Sequence, residues 1–265
     1  MLFKYKNCEK CGYTYDSVMS ECPHCKEHNV DIEKLGIPQN IFWLQLPLQI
    51  LLFVVCFYYG GMLLFANIFY GVFGNITNEV TRNLAATSSA YLVAFILGLS
   101  IVLLNVKGLK KFFLDWRSYA FALGFVVILF VGGLLLNVIT KQFTSETSDN
   151  QKQVIEFLKS YPAVGLLVRG FVGPIVEEMA YRIGLFSFLR RLNRILAYVV
   201  AIIVFALIHF NFQSDNIGNE FLNLPSYLLA GVVFTFAYDF KGPVCATLAH
   251  VSYNMISLLM ILGSK

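Results

Sequence analysis

A chain of 265 residues that is 57% hydrophobic, 15% aromatic and only 14% charged is not an ordinary soluble domain, in which charged residues make up about 25%. Its mean hydropathy of +0.66 and its long apolar runs imply a polytopic membrane protein embedded in the lipid bilayer. The net charge of +4 does not point to nucleic acid, because the basic residues fall in short segments between apolar runs and form no patch.

Residues 1–28 carry Cys8-Glu9-Lys10-Cys11 and Cys22-Pro23-His24-Cys25, two CxxC knuckles with ten residues between them. Each pair of thiolates can supply half of a tetrahedral site, so Cys8, Cys11, Cys22 and Cys25 are the expected ligands of a structural zinc in a small zinc ribbon. A two-disulfide knot or a redox CxxC would use the same residues; zinc is preferred because the loop charges place the module in the cytosol. Residues 29–40 form a linker with Gly36 and Pro38, and residues 41–265 form the membrane domain.

The first apolar run, 41–73, reads as one long tilted helix that bends at Gly60-Gly61. Further runs at 85–106, 119–139, 162–189, 195–210, 224–238 and 243–262 complete the set. The expected fold class is an all-α polytopic membrane protein of about seven transmembrane helices, preceded by the zinc ribbon. Residues 141–160 read as a polar loop with a short interfacial helix at 154–158. An odd number of spans and a cytosolic N-terminus place thirteen Lys and Arg residues on the cytosolic side against five on the other, in the sense that the positive-inside rule requires. A multi-pass protein of the cell membrane, with its ribbon in the cytosol, follows.

Charge inside the membrane is costly, about 2.5–3.5 kcal/mol for an ionised side chain at a helix centre. The run Phe171-Val172-Gly173-Pro174-Ile175-Val176-Glu177-Glu178-Met179-Ala180-Tyr181-Arg182 holds three such groups. Glu178 and Arg182, four residues apart on one helical face, can neutralise each other, which leaves Glu177 as the reactive candidate. Gly173-Pro174 is expected to kink or open the helix one turn earlier. Phe205 and His209 in the fifth span, and His250 and Asn254 in the seventh, repeat the four-residue spacing. Each of these alone has a packing explanation, but together a glutamate, two histidines and an amide are the parts that activate water and stabilise an oxyanion. Arg169 is expected to snorkel to the interface.

These stretches read EExxxR (Glu177 to Arg182), FxxxH (Phe205 to His209) and HxxxN (His250 to Asn254), in that order. The chain thereby resembles the CPBP family of intramembrane proteases, the CAAX prenyl endopeptidases and bacteriocin-processing enzymes also called the Abi family, over residues 161–262. The resemblance implies an intramembrane endopeptidase in which Glu177 and His209 activate water, His250 and Asn254 hold the oxyanion, and Glu178 and Arg182 brace the site beside Phe205. It implies a peptide or protein substrate reached from the membrane, either CAAX-like or a peptide precursor. It leaves open an active-site metal on Glu177, His209 and His250. The ribbon, which the family core lacks, is expected to engage a protein partner. Two other functions use the same residues: a non-catalytic bacteriocin-immunity or scaffold protein, and a proton-coupled transporter.

Overall fold

The computed structural model describes residues 5–8, 14–16, 21–25 and 43–264; Cys11 and the linker 29–40 lie outside the described residues. Near the N-terminus β1 (Tyr5–Asn7) and β2 (Thr14–Asp16) pair antiparallel, Tyr5 opposite Asp16 and Asn7 opposite Thr14. The remainder of the described chain is helices and the turns between them.

The first apolar run is not one helix. It divides into α1 (Leu46–Cys56) and α2 (Leu63–Val72), joined by an extended Phe57 and one π turn, Tyr58–Met62, with a bend of 44°. The bend foreseen at Gly60-Gly61 is present, Gly60 leaving helical torsions at φ −116° and ψ −107°, and the break begins three residues earlier at Phe57. A Cβ on Gly61 would run into the Val55 carbonyl, so the close backbone approach after the break requires glycine. The following helices are α3 (Glu79–Leu103), α4 (Val106–Leu114) and α5 (Trp116–Thr140). Asn78, Asn105 and Asp115 cap them by accepting hydrogen bonds from the backbone N–H groups of Thr81, Gly108 and Arg117, which satisfies donors that a helix start leaves unpaired. The polar loop contains α6 (Asp149–Ser160), longer than the interfacial helix foreseen there and capped by Ser148.

Residues 162–190, named α7, run as helix without interruption through pieces of changing pitch. They are Pro162–Gly165, a π stretch Leu166–Val172, Gly173–Glu178, a second π stretch Met179–Phe186, and Ser187–Arg190. Gly173-Pro174 does not open it: Val172 and Gly173 keep right-handed helical torsions, and the preceding π stretch absorbs the donor that proline lacks. A Cβ on Gly173 would sit 2.8 Å from the Val168 carbonyl oxygen, so the wide turn also depends on glycine. Every residue from Met179 to Phe186 is buried. α7 is the central helix, packed against α1, α3, α8 (Arg194–Leu207) and α10 (Pro243–Gly263). α9 (Ile217–Lys241) starts at the Asn216 cap and carries Pro225 inside it, where the apolar run alone suggested a start near residue 224.

Among the described residues four helices, α3, α5, α9 and α10, are long and apolar enough to cross a membrane, and the bent pair α1–α2 makes five. The other two of the seven apolar runs are α8, which at 14 residues is short of the roughly 20 that a bilayer needs, and α7, which is long enough over residues 162–190 but changes pitch at its π stretches. Large apolar side chains such as Val127, Val131, Leu134, Leu135 and Val138 of α5 are exposed, as a lipid-facing surface requires.

Candidate active site

The charged pair on α7 forms as its spacing dictates. Arg182 Nη1 lies 2.9 Å from Glu178 Oε1, and both side chains are almost wholly buried, at 0% and 1% exposure. The guanidinium lies over the ring of Phe205 at 4.3 Å and that of Phe234 at 5.3 Å, so aromatic faces share in holding a cation removed from water. The same Glu178 oxygen accepts a hydrogen bond from His250 Nδ1 at 2.9 Å. Glu178 thus links α7 to α10 and fixes which edge of the His250 ring turns toward Glu177.

His209 is oriented from its own segment. It follows the end of α8, and its Nδ1–H donates to the Phe205 carbonyl at 2.8 Å. Because carboxylates and carbonyls only accept, both histidines carry their Nδ1 proton, and in neutral rings each Nε2 is an acceptor. Those two Nε2 atoms approach Glu177 Oε2, at 4.0 Å from His209 and 3.7 Å from His250. Three acceptors converge on one point, and a water molecule between them can donate to two of the three. Stacked rings set both imidazole planes: His209 lies on Tyr227 at 4.8 Å and 18°, and His250 on Phe234 at 4.1 Å and 21°. Phe205 contacts both histidines at its edges.

Glu177, His209, His250 and Asn254 line one cavity of about 530 Å³. The Nδ2 of Asn254 donates to the Arg169 carbonyl at 3.2 Å. Three features of the cavity had no signal in the sequence motifs. Tyr227 stacks on His209, and its hydroxyl bonds Ser148 at 2.7 Å and Asn150 at 3.2 Å. The start of α6 forms a polar wall through Ser148, Asn150 and Gln151. Arg169 lines the cavity. Tyr227 and Arg169 sit on helices whose spacing offers no charged or histidine partner, so only the assembled structure shows what they face.

The two metal expectations fare differently. Cys8, Cys22 and Cys25 place their Sγ atoms within 4.8 Å of one another, Cys8 and Cys25 at 3.5 Å. A tetrahedral zinc with bonds near 2.3 Å separates its sulfurs by about 3.8 Å, so this cluster could bind a metal; Cys11, the fourth expected ligand, lies outside the described residues. Among the described residues, that cysteine cluster is the one set of three or more such side chains whose ligand atoms are all mutually within 4.8 Å. Glu177, His209 and His250 do not close to that spacing together.

Residues 159–256 match the model of a protein family described as type II CAAX prenyl endopeptidase Rce1-like. The membrane-embedded CAAX protease MroQ of Staphylococcus aureus (strain USA300) is 30% identical over 142 residues, which are 51% of this chain and 52% of that protein. The second half of the chain is thus similar in sequence to CAAX proteases. All seven residues of the three CPBP motifs, Glu177, Glu178, Arg182, Phe205, His209, His250 and Asn254, fall inside the matched segment. The chain spans about half the length of the curated relative it matches. No solved structure matches this chain.

Proposed function

We propose that the protein hydrolyses a peptide bond inside the membrane with a water activated by Glu177. The observation that carries this reading is the approach of Glu177 Oε2 to two imidazole Nε2 atoms at 3.7 and 4.0 Å within a cavity large enough for a peptide segment. Glu177 takes a proton from the water as its oxygen attacks the scissile carbonyl carbon, and His209 orients that water. The negative charge then moves to the carbonyl oxygen. His250 stabilises it as an imidazolium that takes its Nε2 proton from solvent before the peptide binds and keeps it throughout, with its Nδ1–H held by Glu178, and Asn254 contributes an amide N–H from the same wall. Collapse of the intermediate breaks the C–N bond, and Glu177 returns its proton to the leaving amine. Arg182 pairs with Glu178 and holds it in place. Since the glutamate and the two histidines do not close to metal-ligand spacing, no step is routed through a metal.

The substrate is a peptide or protein segment reached from the membrane, of the CAAX-like or precursor-processing kind. The ribbon (1–28) carries a structural zinc on Cys8, Cys11, Cys22 and Cys25 and presents a surface to a protein partner. The distribution of basic residues supports placing it in the cytosol, with residues 29–40 as the linker to the membrane domain.

The test is cleavage of a quenched fluorogenic peptide library by the purified protein in detergent. Glu177→Gln and His250→Ala should each lower the rate by at least about 100-fold while the protein stays folded. Wild-type and Glu177→Gln proteins that behave alike, in cleavage and in the cell, would replace hydrolysis with the scaffold or immunity reading. Inhibition by a chelator in a variant lacking the ribbon cysteines would return the metal to the mechanism.

A further inference from the structure

Arg169 is the charge in the cavity that hydrolysis leaves unused. Among the described residues lining the cavity, it is the one permanent cation and Glu177 is the one carboxylate; neutral side chains such as Asn137, Gln151, Gln153 and Asn223 make up much of the remaining wall. The guanidinium is held by aromatic faces, 5.5 Å from the Tyr91 ring of α3 and 5.9 Å from the Phe157 ring of α6. No carboxylate among the described residues pairs with it, and its Nε is buried without a hydrogen-bond acceptor. The part-buried guanidinium therefore keeps donor capacity that no carboxylate among the described residues uses, and its planar fork matches a carboxylate.

The distance along α7 sets a register. Arg169 precedes Glu177 by eight residues along α7, at most about 12 Å at the ~1.5 Å per residue of an α-helix, because the π turns between them shorten the rise. An extended peptide covers that span in three to four residues at about 3.3 Å each. We propose that Arg169 binds a carboxylate of the peptide substrate, three to four residues from the bond that Glu177 attacks. This subsite rests on the hydrolytic reading above. The carboxylate is either the peptide's own C-terminus or an Asp or Glu side chain.

The experiment begins with a library peptide that the full-length wild-type protein cleaves and Glu177→Gln does not. Four versions carry, three to four residues from the cut, a free C-terminal acid, a C-terminal amide, or a Glu or a Gln within an amidated peptide. One carboxylate version should exceed its neutral twin in kcat/KM by roughly 10- to 100-fold, the range for a hydrogen bond to a charged group. Acid over amide identifies the C-terminus, and Glu over Gln identifies a side chain. In Arg169→Gln the ratio should fall toward one, and in Arg169→Lys part of it should survive. Ratios within about twofold for both pairs in wild type, or a preference that Arg169→Gln leaves intact, would overturn the subsite while Glu177-dependent hydrolysis stands. Absence of Glu177-dependent cleavage would remove both. Should Arg169→Gln fail to fold, the wild-type ratios and Arg169→Lys decide.

Discussion

Two polar networks lie side by side in this molecule, joined through Tyr227, and they are finished to different degrees. At the ends of α6 and α9, Glu220 accepts from the backbone N–H groups of Asp149 at 2.8 Å and Asn211 at 3.1 Å. Asn219 donates to the Thr147 carbonyl and accepts from Thr144, and Asn223 donates to the Asn219 carbonyl. Inside the helical core, by contrast, Glu178 Oε2 and Arg182 Nε and Nη2 are buried without hydrogen-bond partners, and Glu177 faces two acceptors across gaps of 3.7 and 4.0 Å. The first network spends its polar groups on one another and so holds loops in place. The second keeps polar capacity unspent where a water and a peptide can use it, at a cost in stability that only function explains.

The largest effects should separate the two networks in kind. Arg182→Leu would strand Glu178 as a buried carboxylate and should destabilise the protein by about 3–5 kcal/mol, read as a drop in thermal midpoint in detergent. Arg182→Met with Glu178→Gln should recover much of that loss, because the pair then leaves together. Recovery of stability without recovery of peptide cleavage would show that Glu178 serves His250 as well as Arg182. A double variant as unstable as Arg182→Leu would instead make the cation–aromatic stack the dominant contribution.

Glu220→Gln attacks the saturated network. One of its two acceptors would become a donor facing a backbone N–H, a loss of about 1–3 kcal/mol, with peptide cleavage changed only in proportion to the folded fraction. A loss of cleavage far beyond the loss of fold would mean that the loop network takes part in the chemistry.

How far the sequence could reach follows from the range of each interaction. Glu178–Arg182 was legible because four-residue spacing on a helix fixes the contact before any tertiary structure is known. The meeting of Glu177, His209 and His250 was legible as a composition of parts, since intramembrane polar groups need one another. The His209 geometry was not: the residue sits beyond the end of α8 and is turned by the Phe205 carbonyl. The division of the first apolar run at Phe57, the uninterrupted passage of α7 through Gly173-Pro174 and the earlier start of α9 all depend on π turns and caps, whose energies are too small to mark a hydropathy profile. Arg169 and Tyr227 gained meaning only from what α3, α6 and α8 bring against them.

Asp149 gives the loop network a pH dependence. Hydrogen bonds from Ser214 and then from Asn211 hold its carboxyl below the usual carboxylate range. A carboxylate depressed in the folded state contributes stability that is fully present above its unfolded pKa, near about 3.9, and is lost as pH falls through the lower folded value. Thermal midpoints of wild type measured downward from pH 6 should therefore fall more steeply in the acid range than those of Asp149→Asn. Parallel curves would mean that Asp149 is bonded equally well in the unfolded chain.

The smallest change tests the joint between the networks. Tyr227→Phe keeps the ring that stacks on His209 and removes the hydroxyl that bonds Ser148 and Asn150. Two neutral hydrogen bonds at a partly exposed site are together worth about 1–2 kcal/mol, so the thermal midpoint should move little. If the stack alone positions His209, kcat for peptide cleavage should stay within about twofold of wild type. If α6 positions His209 through the hydroxyl, kcat should fall by more than stability accounts for, and Tyr227→Trp, which restores a ring and a donor but not the same reach, should not rescue it. That outcome would turn the saturated network from a scaffold into part of the support for the catalytic histidine.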